Sequence, residues 1–178
     1  MSFSPKNSQM HLSNKDFYNN YIQKKEMTKI IKPLVTMHYA AYLLAILIAS
    51  FGMNFSQSIG ISIDPLSELG ISISSILIIV IIGSVPASLW LFHKKVQTLQ
   101  TLDNTKLKVT EWAKFARIRL IVLGIALNLG VMFFYILQFN KSMLFCAGIA
   151  AIGMVFSKPS EIRLITDLLL NDDEIEKI

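Results

Sequence analysis

Apolar and charged residues are segregated along the chain rather than mixed. Three blocks, Leu34–Phe55, Ile71–Phe92 and Leu120–Phe139, hold no Asp, Glu, Lys or Arg. Each has the roughly 20 residues a helix needs to cross about 30 Å of hydrocarbon. A fourth apolar block, Ser142–Ser157, is shorter. At about 1.5 Å per residue it covers some 24 Å, so it spans only with local thinning or with Lys141 and Lys158 snorkelling to the boundaries. The pattern predicts an all-α integral membrane protein, an antiparallel bundle of four transmembrane helices. The domains expected are a basic N-terminal segment 1–33, a membrane domain 34–157 (spans near 34–55, 71–92, 120–139 and 142–157) and an acidic tail 158–178.

Charge orients these spans. Residues 1–33 carry six lysines against Asp16 and Glu26, and 93–119 carry seven basic residues against Asp103 and Glu111. Between them, 56–70 carry only Asp64 and Glu68. Basic residues collect in cytoplasmic loops, which places both termini and the 93–119 loop in the cytoplasm and predicts a bacterial cytoplasmic (inner) membrane location. The net charge of +5 is thereby accounted for by orientation and by attraction to anionic headgroups, and no nucleic-acid partner is implied.

The segments outside the spans also show helical patterning. Ser13 and Asp16 resemble a capping box ahead of an amphipathic stretch whose apolar side is Phe17, Tyr21 and Ile22, with Pro33 as the joint to span 1. The 93–119 loop reads as a helical hairpin. Val96, Leu99 and Leu102 prolong the stripe of span 2, Asp103-Asn104-Thr105 turns the chain, and Trp112 and Phe115 anchor the return at the interface. After span 4, Pro159 falls near the first position of a short helix with Ile162, Ile165, Leu168 and Leu169 on its apolar side. The acidic run Asp172–Glu176 follows; weak exposed ion pairs favour a solvated acidic end, the alternative being a tail folded back onto the basic hairpin.

Helices in lipid associate through small residues and polar side chains, and each span carries such a stripe at helical spacing. His38, Ala41, Ala45, Ala49 and Gly52 form it in span 1, and Ser75, Gly83, Ala87 and Trp90 in span 2, where Pro86 is expected to kink the helix. Gly124, Asn128, Val131, Tyr135 and Gln138 form it in span 3, and Cys146, Ala150, Gly153 and Ser157 in span 4. Asn128, Tyr135 and Ser75 double as lining candidates if the chain assembles around a path.

Candidate chemistry is sparse. No span holds the carboxylate that ion-coupled transport uses, and no phosphate loop, zinc-protease motif or nucleophile elbow occurs. The lone Cys146 has no partner for an internal disulfide. His38 and His93 both belong toward the cytoplasmic leaflet, but at different depths, a poor match for paired axial haem ligands. No cofactor or metal is therefore expected. In general build the chain resembles small four-span proteins of bacterial cytoplasmic membranes. The reading that follows is a non-enzymatic accessory or interaction subunit that partners the lipid bilayer and either another protein or copies of itself. The alternatives are an oligomeric channel or carrier for an uncharged solute and, last, a lipid-modifying enzyme.

Overall fold

The computed structural model describes residues 6–59, 62–171 and 175. The side chains of Ser13, Asp16, Phe17, Tyr21 and Ile22, and the acidic residues of the run 172–176, lie outside that description. The protein is all-α, with helices α1 (Lys6–Ile59), α2 (Glu68–Gln100), α3 (Thr105–Ile136), α4 (Lys141–Phe156) and α5 (Glu161–Leu168). Three stretches, Met27–Gly52, Glu68–Gln100 and Thr105–Ile136, are long and apolar enough to cross a membrane. Counting the bent pair α4–α5 as a span makes four.

Pro33 does not interrupt α1, which runs through it as one helix. The expected joint is overridden because the turns on either side are held by packing: Ile31 and Leu34 are both buried. The Thr36 hydroxyl also donates to the carbonyl of Lys32 at 3.0 Å. Losing one backbone donor to proline is tolerable where tertiary contacts fix both flanking turns. Pro86 likewise lies inside the continuous α2.

The connections are set by side-chain caps. Ser67 opens α2 by accepting from the amide of Gly70 at 3.0 Å while its hydroxyl donates to the carbonyl of Asp64. The amide of Ile63 in the same loop donates to the carbonyl of Ile136 at 2.9 Å, tying the loop to the end of α3. Asn104 caps α3 through the amide of Leu107, 3.1 Å away, so the turn falls where Asp103-Asn104-Thr105 predicts it. Between α3 and α4, Gln138 and Phe139 adopt left-handed backbone and Asn140 caps α4 through the amide of Ser142. Ser160, rather than a position around Pro159, caps α5. Side-chain oxygens at these starts satisfy amides that a helix leaves without partners.

α3 is the helix against which α1, α2 and α4 all pack. A Cβ at Gly124 would sit 3.2 Å from that of Ala41 on α1, and one at Gly130 would sit 2.9 Å from that of Ala147 on α4. Gly153 of α4 lies between Val85 of α2 and Leu123 of α3. Small residues thus bring α1 and α4 close to the central helix, the arrangement that dispersion packing in lipid favours.

The buried side of α2 is Ile81, Val85, Ser88, Phe92, Val96 and Leu99. Ser75, Gly83, Ala87 and Trp90 lie on its exposed side, opposite to the stripe expected for span 2. The larger side chains gain more dispersion contact against α3 than small ones do, and that decides which face turns inward.

At the far end of the bundle α4 bends by 78° into α5. Leu164 and Leu168 of α5 are fully covered, whereas Ile162 and Leu169 are exposed. Of the side that spacing suggests, Leu168 is buried and Ile165 packs against the core, while Ile162 and Leu169 turn outward and Leu164 takes their place inside. Leu164 and Leu168 join Met27, Ile31, Val96, Val109 and Trp112 in one core.

Candidate functional site

Two groups of polar side chains are built into the bundle. The first joins α1 to α3. Asn128 donates through Nδ2 to the carbonyl of Gly124 at 2.7 Å on its own helix and to that of Ala41 at 3.3 Å on α1. Two turns on, the Tyr135 hydroxyl donates to the carbonyl of Ala49 at 2.7 Å. Its ring fills the space over Gly52, where a Cβ would meet it at 2.5 Å. Ala45 lies buried between these contacts. The Tyr42 hydroxyl crosses the other way, to the carbonyl of Ala151 on α4 at 2.9 Å. These bonds hold helices together and use up the donors that a solute path would present.

The second group lies where α4 ends. Arg119 of α3 is only 5% exposed, with its guanidinium 3.7 Å over the ring of Phe92 on α2. Nη2 donates to the carbonyl of Ser157 at 3.3 Å. Arg163 reaches back from α5 to the carbonyls of Phe156, the last residue of α4, and of Lys158, two residues beyond it. Lys158 places its Nζ 5.9 Å over the ring of Tyr39, which meets His38 edge-on at 5.4 Å. His38 is 4% exposed and also meets Tyr42 edge-on. Among the described residues, four side-chain atoms are buried without a hydrogen-bond partner: Arg119 Nε, Ser157 Oγ and His38 Nδ1 here, and Asn128 Oδ1 in the first group.

The orphan atoms of Arg119, Ser157 and His38 belong to one level of the bundle. Ala41 lies against Gly124, so one turn back along each helix brings His38 level with Leu120 and Arg119. Tyr42 reaches Ala151, and His38, one turn before Tyr42, faces the last turn of α4. Ser157 closes that turn as its C-cap.

The remaining sequence candidates are dispersed. Cys146 and Ala150 are buried on the inner face of α4. Ser75 is exposed and spends its hydroxyl on the carbonyl of Ile71 in its own helix. Gly83 faces open space: a Cβ there would meet nothing within 4 Å. His93 is exposed, its ring Nε2 3.1 Å from Gln97, and shares no contact partner with His38, so the paired-histidine arrangement does not form. Among the described residues no group of three His, Cys, Asp or Glu side chains is placed to hold a metal ion.

Trp112 is not the interfacial anchor its type suggests. It is 0% exposed, its ring edge-on to Phe92 at 6.2 Å, and its Nε1 donates to Asp167 Oδ2 at 3.0 Å. Arg119 escapes a sequence reading altogether, because in a charge count it is one more basic residue of a loop. A faint signal exists for the tryptophan: Phe92 and Trp112 stand equally far along the chain from Leu102 in the turn, so a helical hairpin brings them opposite. Compared with family models, curated proteins and solved structures, the chain matches none.

Proposed function

We propose that this protein is a non-enzymatic accessory or interaction subunit of a bacterial cytoplasmic membrane complex. In this reading it is a bundle of four alternating spans with both termini and the α2–α3 turn in the cytoplasm. The observation that supports it is the overrun of the helices. At 1.5 Å per residue, α2 and α3 are each about 50 Å long, some 20 Å more than the hydrocarbon requires. α5 packs against that overrun, with Leu164 and Leu168 covered. Material folded outside the bilayer at one end is surface that a transmembrane bundle does not need for its own insertion, and a partner can use it. Affinity purification of the tagged chain from its native membranes in mild detergent tests the proposal. A stoichiometric partner is expected, and a solitary chain in a defined small oligomer would overturn it.

The second reading is an oligomeric channel or carrier for an uncharged solute. It draws on α2, where Ser75, Gly83 and Ala87 lie on the exposed side and would face a shared axis in an assembly. Flux into proteoliposomes above that of empty vesicles would favour it.

A further inference from the structure

Arg119 presents an unusual electrostatic problem. A guanidinium removed from water is costly unless an anion or a full set of acceptors compensates it. Here the compensation is partial: one long hydrogen bond to the carbonyl of Ser157 and the face of Phe92. Among the described residues no carboxylate lies within ion-pair distance of Arg119, Lys158 or Arg163. The two acids of α5 are engaged elsewhere, Asp167 with Trp112 and Glu161 with the Thr28 hydroxyl at 2.8 Å. Asp167 attracts Arg119 only through space, and Arg163 repels it. Three cations against the two carboxylates of α5 leave the place net positive among the described residues. Two further buried atoms at the same level, Ser157 Oγ and His38 Nδ1, have no partner among the described residues.

The depth is informative. Arg119 immediately precedes the charge-free block of α3, and Lys158 immediately follows that of α4. Both therefore stand where hydrocarbon gives way to headgroups, the level to which long basic side chains reach. Beside them on α1 and α4, Tyr39, Ile152, Val155 and Phe156 are exposed apolar residues, a surface against which acyl chains can lie. Arginine and lysine around a single oxyanion, with hydroxyl and imidazole in support, is the donor set that phosphate takes.

We propose that the end of α4 is a binding site for the headgroup phosphate of an anionic phospholipid, held by Arg119, Lys158 and Arg163, with Ser157 and His38 at its inner edge. Reaching Arg119 requires the Lys158–Arg163 side to part. The lipid then supplies the counter-charge that the described residues leave out.

The assignment rests on the membrane reading, so alkaline carbonate extraction is run in parallel. A chain released by carbonate overturns both; a chain retained but indifferent to lipid overturns only the site. The test is native mass spectrometry of the full-length protein released from micelles containing phosphatidylglycerol and phosphatidylcholine in equal amounts. Retention of one phosphatidylglycerol with about tenfold preference is expected, the scale of one charge-assisted hydrogen bond. Arg119→Gln should remove the preference. Because Arg119 is buried and its variant can misfold, Lys158→Gln is measured beside it: exposed, it should lower the preference about threefold, the scale of a solvent-screened charge. Lys141→Gln, at the other end of α4, should change nothing. Equal retention of the two lipids, or a preference untouched by Lys158→Gln, would overturn the proposal. So would millimolar inorganic phosphate occupying the site while phosphatidylglycerol does not, which would assign it to a soluble anion.

Discussion

Trp112 and Asp167, on helices that neither adjoin in sequence nor share a pattern, are joined by a 3.0 Å bond from the indole Nε1 to the carboxylate Oδ2. The backbone carbonyl of Asp167 also accepts from Gln100 Nε2 at 2.7 Å. One residue of α5 is thus held by both α2 and α3. Tail docking is carried by this residue and by two covered leucines, Leu164 and Leu168, an apolar contact with one polar clamp.

Removing the clamp should loosen α5 without unfolding the bundle. Trp112→Phe keeps the ring and deletes the donor, so a loss of about 1–2 kcal/mol in the docking of α5 is expected, the usual range for a hydrogen bond to a charged group. Trypsin cleavage after Arg163 reports it and should quicken for both Trp112→Phe and Asp167→Ala. Asp167→Asn, which retains an oxygen acceptor, should stay close to wild type. Because the leucines are buried, high salt should leave the protection intact; cleavage that rises steeply with salt would show that charge alone holds the tail.

Glycines on the two faces of the bundle should behave oppositely. A methyl at Gly130 meets Ala147 backbone nitrogen and Cβ at 2.9 Å, closer than atoms can approach, while one at Gly83 meets nothing. Gly130→Ala is expected to destabilise by about 1–3 kcal/mol, the range for overpacking. Gly83→Ala should be neutral or slightly stabilising, since alanine favours helix. Thermal melting of the two variants in one detergent checks the pair. A Gly83→Ala that melts early would mean that α2 turns its Ser75–Ala87 side toward a second copy.

The polar bonds across α1 and α3 should prove modest. Each interhelical hydrogen bond in a membrane contributes on average about 0.6 kcal/mol, because the separated helices find other partners. Asn128→Leu and Tyr135→Phe should each lower stability by about that amount, and the double variant by roughly their sum, read from unfolding in mixed micelles. If these groups lined a solute path instead, stability would hold and flux would change.

The apolar blocks and the α2–α3 turn were legible in the sequence, and the continuity of α1 and the inward face of α2 were not. The charge-free blocks locate the apolar helices, and Asn104 marks the turn between α2 and α3 because capping is a local matter of one side chain and one amide. Pro33 misleads because its local preference is outweighed by the packing of Ile31 and Leu34, which depends on residues far along the chain. The inward face of α2 misleads for a related reason. In lipid both sides of a helix are apolar, so hydropathy no longer distinguishes core from surface, and the choice falls to shape against α3. Arg119 is the extreme case: nothing local separates it from Arg117, which is exposed, and only the meeting of Phe92 with the end of α4 buries it.

The fourth crossing gives the sharpest test of the membrane arrangement. α4 is a 16-residue helix, about 24 Å long, and the chain turns sharply beyond it. If it crosses, Lys141 and Lys158 lie on opposite sides of the membrane, with Lys158 on the side of Asp103. Single cysteines at Asp103, Lys141 and Lys158, placed in a Cys146→Ser background, distinguish the cases with a membrane-impermeant maleimide applied to intact cells. All three positions are exposed, so reactivity reports sidedness rather than burial. Labelling of Lys141→Cys alone is the expected outcome, with Asp103→Cys and Lys158→Cys modified only after the membrane is opened. Labelling of Lys141→Cys and Lys158→Cys together from outside would make α4 re-entrant, a half-span returning to the side it came from. The reverse pattern, Asp103→Cys and Lys158→Cys from outside, would keep the four spans and invert them, against the lysine and arginine distribution.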